Sequence, residues 1–144
     1  MRPQPLICVR DVQKSSRWYC TLLGCESGHG GEEYERVMKG DEFVLQLHAW
    51  DAHQHAHLGD VKLPVGNGVA LWFQVDDLEA AVKRARSLKA KVLEDLHLNE
   101  RANHHEIWLR DPDGYVVVLA SAPRVQPRAA RGQPGKSKAV GESA

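Results

Sequence analysis

The sequence superposes on itself, and that repeat limits the folds open to it. Shifted by 66 positions, VRDVQKSSRWYCTLLG (9–24) falls on VDDLEAAVKRARSLKA (75–90), so Asp11 meets Asp77, Val12 meets Leu78, Ser15 meets Ala81 and Leu22 meets Leu88. Shifted by 72, Lys39-Gly40-Asp41-Glu42-Phe43-Val44-Leu45-Gln46-Leu47 falls on Asp111-Pro112-Asp113-Gly114-Tyr115-Val116-Val117-Val118-Leu119. The difference of six reads as a loop insertion in the second half. Identity between the halves is low, but turns, caps and apolar positions coincide. A chain built this way is two copies of one strand–helix–strand–strand unit of about 50 residues.

Each unit is legible locally. Residues 5–10 and 69–75 read as strands, each followed by an acidic cap and a helix. Asp11 caps a helix over 12–23 that Gly24 ends. In the second unit Asp76 and Glu79 have the spacing of a capping box. Leu78, Ala81, Val82, Ala85 and Leu88 then line one helical face. Residues 34–39, 42–49, 106–110 and 115–120 read as strands, paired across turns at 39–42 and at Asp111-Pro112-Asp113-Gly114.

The formal net charge of zero divides unevenly. Residues 1–122 carry 14 basic and 18 acidic side chains, a net −4, while residues 123–144 carry five and one, a net +4. The expected organisation is one domain over 1–122, with modules at about 4–50 and 68–121, followed by a disordered basic tail over 123–144. An acidic body argues against a nucleic-acid-binding domain; the tail's charge fits solvation or a weak anionic partner. No apolar run is long enough to span a membrane, so no membrane partner is expected. The opening segment lacks the apolar core of a signal peptide, and Cys8, Cys20 and Cys25 form an odd, unpatterned set. Both point to reduced thiols and a cytoplasmic location.

These motifs resemble the vicinal oxygen chelate superfamily, which holds glyoxalase I, extradiol dioxygenases, fosfomycin-resistance enzymes and bleomycin-resistance proteins. The resemblance rests on Val9-Arg10-Asp11, Ser16-Arg17-Trp18-Tyr19, Leu22-Leu23-Gly24, Val75-Asp76-Asp77-Leu78-Glu79-Ala80-Ala81 and Leu109-Arg110-Asp111-Pro112-Asp113-Gly114-Tyr115. It implies an α+β fold of two βαβββ modules whose curved mixed sheets surround a cleft, usually within a homodimer. It also implies where the metalloenzymes of the group place their four ligands. Here those positions fall on Gln4 and Ala70, 66 apart, and on Gln46 and Val118, 72 apart. Ala70 and Val118 have no donor atom, and the glutamines offer only neutral amides, a poor set for a catalytic divalent ion. The bleomycin-resistance branch binds its ligand without a metal, and this chain looks more like that branch. No cofactor is therefore expected.

Several residues compete for a role in the cleft. His48 shares strand parity with Gln46 and can point to the same side. In the linker, H-x-H-x-H at 53–57, with Asp51 or Asp60, has a chelating spacing or is a solvated loop. His104 and His105 precede Glu106; a His–Glu pair suits general acid–base work. His105 and Glu106 are adjacent, so strand alternation turns them to opposite faces. Alternation also places Gln4, Leu6, Cys8 and Arg10 on one face, Ala70, Trp72 and Gln74 on another, then Glu42, Val44, Gln46 and His48, and last Val116, Val118 and Ala120. Trp108 adds an aromatic wall whose face alternation leaves unassigned. The expected ligand site is Gln4, Gln46, His48, Trp72 and Trp108, an apolar floor with few polar groups that suits a planar or aromatic compound. The leading expectation is a metal-independent small-molecule-binding protein. Its competitors are a lyase, isomerase or dioxygenase with an unusual metal set (Gln4, Gln46, His48 and a loop histidine) and an interaction module with a collapsed cleft.

Overall fold

The computed structural model describes residues 2–50, 62–66 and 69–124. The histidines at 53, 55 and 57, with Asp51 and Asp60, lie outside the described residues, as does the expected basic tail from 125 onward. The element order is β1 (Leu6–Val9), α1 (Val12–Leu23), β2 (Glu26–Ser27), β3 (Tyr34–Lys39), β4 (Glu42–Ala49), β5 (Ala70–Gln74), α2 (Leu78–Ser87), β6 (Lys91–Asn99), β7 (His104–Arg110) and β8 (Val116–Ala120). This is βαβββ twice. The strands form two mixed sheets of four, ordered β1-β4-β3-β2 and β5-β8-β7-β6. No helix among the described residues is long and apolar enough to cross a membrane.

The registers reproduce the repeat. β1 runs parallel to β4 with Leu6 opposite Gln46, and β5 runs parallel to β8 with Trp72 opposite Val118. Leu6 to Trp72 is 66 positions and Gln46 to Val118 is 72, the two offsets found in the sequence. The six extra residues are not a plain loop: β2 is two residues long and β6 is nine, so the insertion lengthens the second strand of the second module. Neither β2 nor β6 stands out in the sequence. β2 is too short to show a period. In β6 the pairing with β7 shifts register twice, between Val92 and Glu94 and between Glu94 and His97, and these bulges erase strict alternation.

The helix ends follow local chemistry. The Asp11 carboxylate accepts from the Lys14 N–H at 2.8 Å, and Gly24 closes α1 at φ 63°, where a side chain would be strained. The N-cap of α2 is Asp77 rather than Asp76; its carboxylate accepts from the Ala80 N–H at 2.9 Å. Asp77 is the residue that the repeat aligns with Asp11. The expected capping box does not form, and Glu79 instead faces Lys83 at 3.2 Å.

One core joins the modules. Ile7, Val9, Val37, Leu45 and Leu47 of the first sheet and Leu71, Ile107, Leu109, Val117 and Leu119 of the second pack with Val12, Tyr19, Leu22, Leu78, Ala81 and Ala85 of the helices. Period-two alternation thus turns one face of each sheet to the helices and leaves the other for a site.

A buried polar network locks the junction. The Asp111 carboxylate accepts N–H bonds from Asp113, Gly114 and Tyr115 at 2.8–2.9 Å, and the Tyr19 hydroxyl of α1 donates to it at 2.8 Å. Asp113 accepts from the Arg10 backbone at 2.9 Å and from the Ser15 hydroxyl at 3.2 Å. The Tyr115 hydroxyl donates to the Cys8 carbonyl at 2.9 Å. Burial pushes the Tyr19 phenol well above its usual range, with the Asp111 charge adding to the effect. Replacing Tyr19 by Phe strips one buried acceptor of its donor, so Tyr19→Phe is expected to lower unfolding stability by about 1–3 kcal/mol. A urea titration should show a lower midpoint with an unchanged slope.

Candidate functional site

On the second sheet, the face turned from the helices carries a built site. Trp72, Val118 and Trp108 are register partners across β5, β8 and β7. Val118 is fully buried and lies outside the helix-facing core, between the two indole-bearing positions. The rings of Trp72 and Trp108 meet edge to face, with centroids 5.8 Å apart and planes at 88°. His104 lies against Trp72 at 5.8 Å. Trp72 remains 45% exposed, so one aromatic surface stays open to a ligand.

Glu106 holds this arrangement. It is 2% exposed. The Trp108 indole N–H donates to its Oε1 at 2.8 Å, and His104 Nε2 and Asn99 Nδ2 donate to its Oε2 at 2.6 and 3.1 Å. A carboxylate accepts only, so the 2.6 Å contact places a proton on His104 Nε2. Burial by itself raises the Glu106 carboxyl, but the bonds from Trp108, His104 and Asn99 outweigh it and hold the group below the ordinary 4.5. Two members of the aromatic face are thus fixed by one ionised group. Beside them, Pro64, Val65, Gly66, Val69, Ala70, Trp108, Arg110 and Val116 line an open groove of about 550 Å³.

The first sheet carries the other expected residues. Gln46 is engaged at both ends of its amide: Oε1 accepts from the Tyr34 hydroxyl at 2.8 Å, and Nε2 donates to the Gln4 carbonyl at 2.9 Å. His48 is buried, Nδ1 donates to the Ala49 carbonyl at 2.7 Å, and its ring meets Tyr34 edge-on at 6.4 Å. The structure therefore brings Trp72 and Trp108 together on one sheet, and Gln46, the Gln4 backbone and His48 together on the other. The four positions equivalent to metal ligands do not fit a divalent ion: Ala70 and Val118 lack donors, and the Gln46 oxygen already accepts a hydroxyl. Cys8 is buried and forms no disulfide.

Three contributors, His97 (its Nε2 3.4 Å from Glu106 Oε1), Asn99 and the His104–Glu106 bond, escape the sequence reading. His97 and Asn99 sit on β6, which the alternation does not reveal. His104, Glu106 and Trp108 share strand parity, and that signal was available; the adjacent pair His105 and Glu106 hides it. His105 has the opposite parity, and its ring Nε2 lies 3.4 Å from the Arg124 guanidinium.

The family model for the glyoxalase/bleomycin resistance protein/dioxygenase superfamily matches residues 3–119. The chain belongs to this superfamily. Its fold is shared by solved structures of low sequence identity. A glyoxalase/bleomycin resistance protein/dioxygenase family enzyme from Burkholderia phytofirmans PsJN aligns with TM-score 0.69 at 19% identity, over 83% of this chain and 96% of that one. A protein of unknown function from Agrobacterium tumefaciens C58 aligns with TM-score 0.69 at 18% identity, over 85% and 94%. A fosfomycin resistance protein from Mesorhizobium loti aligns with TM-score 0.63 at 15% identity, over 85% and 92%. No curated protein matches the sequence.

The depressed Glu106 carboxyl makes a pH signature. Its contribution is present above the ordinary glutamate value of 4.5 and is lost as pH falls through its lower folded value. Tryptophan emission should change in acid with a midpoint below 4.5, as the acceptor of the Trp108 N–H is protonated. In Glu106→Gln that transition should be absent.

Proposed function

We propose that this superfamily member is a binding protein for a planar, aromatic organic compound, seated on the open face of Trp72 and bounded by His104 and Trp108, with no metal at positions 4, 46, 70 and 118. The observation that carries this reading is the row Trp72–Val118–Trp108. At a position where the metalloenzymes place a ligand atom stands an isopropyl group, flanked by two indoles. That surface favours stacking over coordination. The Glu106 carboxylate behind the rings and the net −4 of residues 1–122 favour a cationic ring system, to which cation–π attraction adds about 0.5–2 kcal/mol. Gln46 and His48 lie on the first sheet and Gln4 just before its strand β1, and we assign them the polar rim of the same ligand across a homodimer, in which the open face of one protomer covers that of its partner. The half-exposed Leu6 and Trp72 on these faces support such a partner.

The test is a fluorescence and thermal-shift titration of tag-free protein with a planar cationic dye of the acridine type and a neutral isostere. Stabilisation and indole quenching by the cation, weakened at least about tenfold (about 1.4 kcal/mol) in Trp72→Ala, are the expected results. Equal binding by Trp72→Ala, or no stabilisation by any planar compound, would overturn the reading.

A further inference from the structure

We propose a zinc-type divalent-cation site on the β6–β7 hairpin, formed by Glu94, His97 and Glu106, away from the positions at which the superfamily's metalloenzymes bind their ion. Three observations converge on it. The first is spacing. His97 Nε2 lies 3.6 Å from Glu94 Oε2 and 3.4 Å from Glu106 Oε1, and the three donor atoms all fall within 4.8 Å of one another. A tetrahedral ion with bonds of about 2.0–2.2 Å sets its donors about 3.3–3.6 Å apart.

The second is the orientation of the ring. His97 Nδ1 is 2.8 Å from the Asp95 carbonyl, an acceptor only, so Nδ1 carries the ring proton. Nε2 is then the nitrogen left to bind an ion, and it is the one turned toward the two carboxylate oxygens. A histidine whose far nitrogen is fixed by a carbonyl is also how metal-binding imidazoles are held.

The third is backbone. Glu94 and His97 are three residues apart, and on a regular strand they would face opposite sides. The register shifts on either side of Glu94 turn both toward Glu106, which His97 opposes directly across the ladder. Glu106 is buried, Glu94 is exposed and His97 is partly exposed, so an ion has a firm inner ligand and an open path from solvent. One imidazole and two carboxylates suit zinc better than magnesium or calcium, which take oxygen ligands, and three protein ligands leave a position for water. Trp108 and His104 already bond Glu106, so they would stand behind the inner ligand as its supports. This inference does not rest on the ligand proposed above.

The experiment uses full-length, tag-free protein stripped with chelator and titrated with zinc chloride. Calorimetry and elemental analysis give the affinity and stoichiometry, and thermal shift gives the stabilisation. One zinc per chain is expected, with stabilisation reversed by chelator. Affinity should fall about 10–100-fold in Glu94→Ala and in His97→Ala, both at the surface and compatible with folding. Replacing His53, His55 and His57 together by Ala should leave that affinity unchanged. Loss of zinc binding in the triple variant with retention in Glu94→Ala and His97→Ala would overturn the site, because the linker histidines would then be the ligands. Absence of binding by the unsubstituted protein would overturn it equally.

Discussion

The tight turn at Asp111-Pro112-Asp113-Gly114 is the interaction on which the two-module arrangement depends. Asp111 first folds its own turn, taking three backbone N–H groups on one oxygen. Its other oxygen accepts the Tyr19 hydroxyl from the opposite module, and Asp113 reaches the Arg10 backbone and Ser15. A buried carboxylate is costly unless its acceptors are satisfied. Satisfying them from both modules makes the cost a device for orientation, because any other docking of the modules strands Asp111 and Asp113. The core supplies most of the favourable free energy, but apolar contact alone is tolerant of sliding. The polar network is not.

The repeat sets the same stage twice, and only one copy is furnished. At the equivalent second junction, Lys39 stands for Asp111, Phe43 for Tyr115, Ala81 for Ser15 and Ala85 for Tyr19. None of these can rebuild the network. What lies there is an open groove of about 650 Å³, with Lys39, Glu42, Phe43, Asp76, Asp77 and Arg84 in its lining. The positions that the resemblance marks for metal ligands likewise hold no ionisable donor. Gln46 is turned to hold Tyr34 and the Gln4 backbone, and Val118 lies in an aromatic row. In the second sheet the polar cluster around Glu106 lies shifted outward, on β7 and the edge strand β6.

That shift explains which parts were legible in the sequence. The helices, the cap at Asp11, the stop at Gly24 and the two offsets follow from periodicities that tertiary contacts do not disturb. Trp72, Gln46 and Val118 fall on the face that alternation assigns to them. β6 fails the same test for a physical reason. As an edge strand it packs on one neighbour, its apolar residues Val92, Leu93, Leu96 and Leu98 stay 38–43% exposed, and its bulges break the period. With β6 hidden, His97 and Asn99 had no strand to sit on, and Glu106 lacked two of the side chains it meets. The six-residue offset between the halves was the trace of that strand.

Glu106 stands where the two proposed activities meet. Its Oε2 is occupied by His104 and Asn99, and its Oε1 by the Trp108 indole, with His97 Nε2 at 3.4 Å. A cation taken up between β6 and β7 would draw on the same oxygen that fixes Trp108. The carboxylate's charge would then be shared between the ion on one side and the aromatic face on the other. A cationic ligand on that face would feel less of the charge with the ion in place, and a neutral or anionic ligand would gain by comparison. Linkage makes the effect reciprocal: whatever factor the ion imposes on the ligand's affinity, the ligand imposes on the ion's. One buried carboxylate, ionised because its donors outweigh its burial, would be the point through which the two proposed sites are coupled.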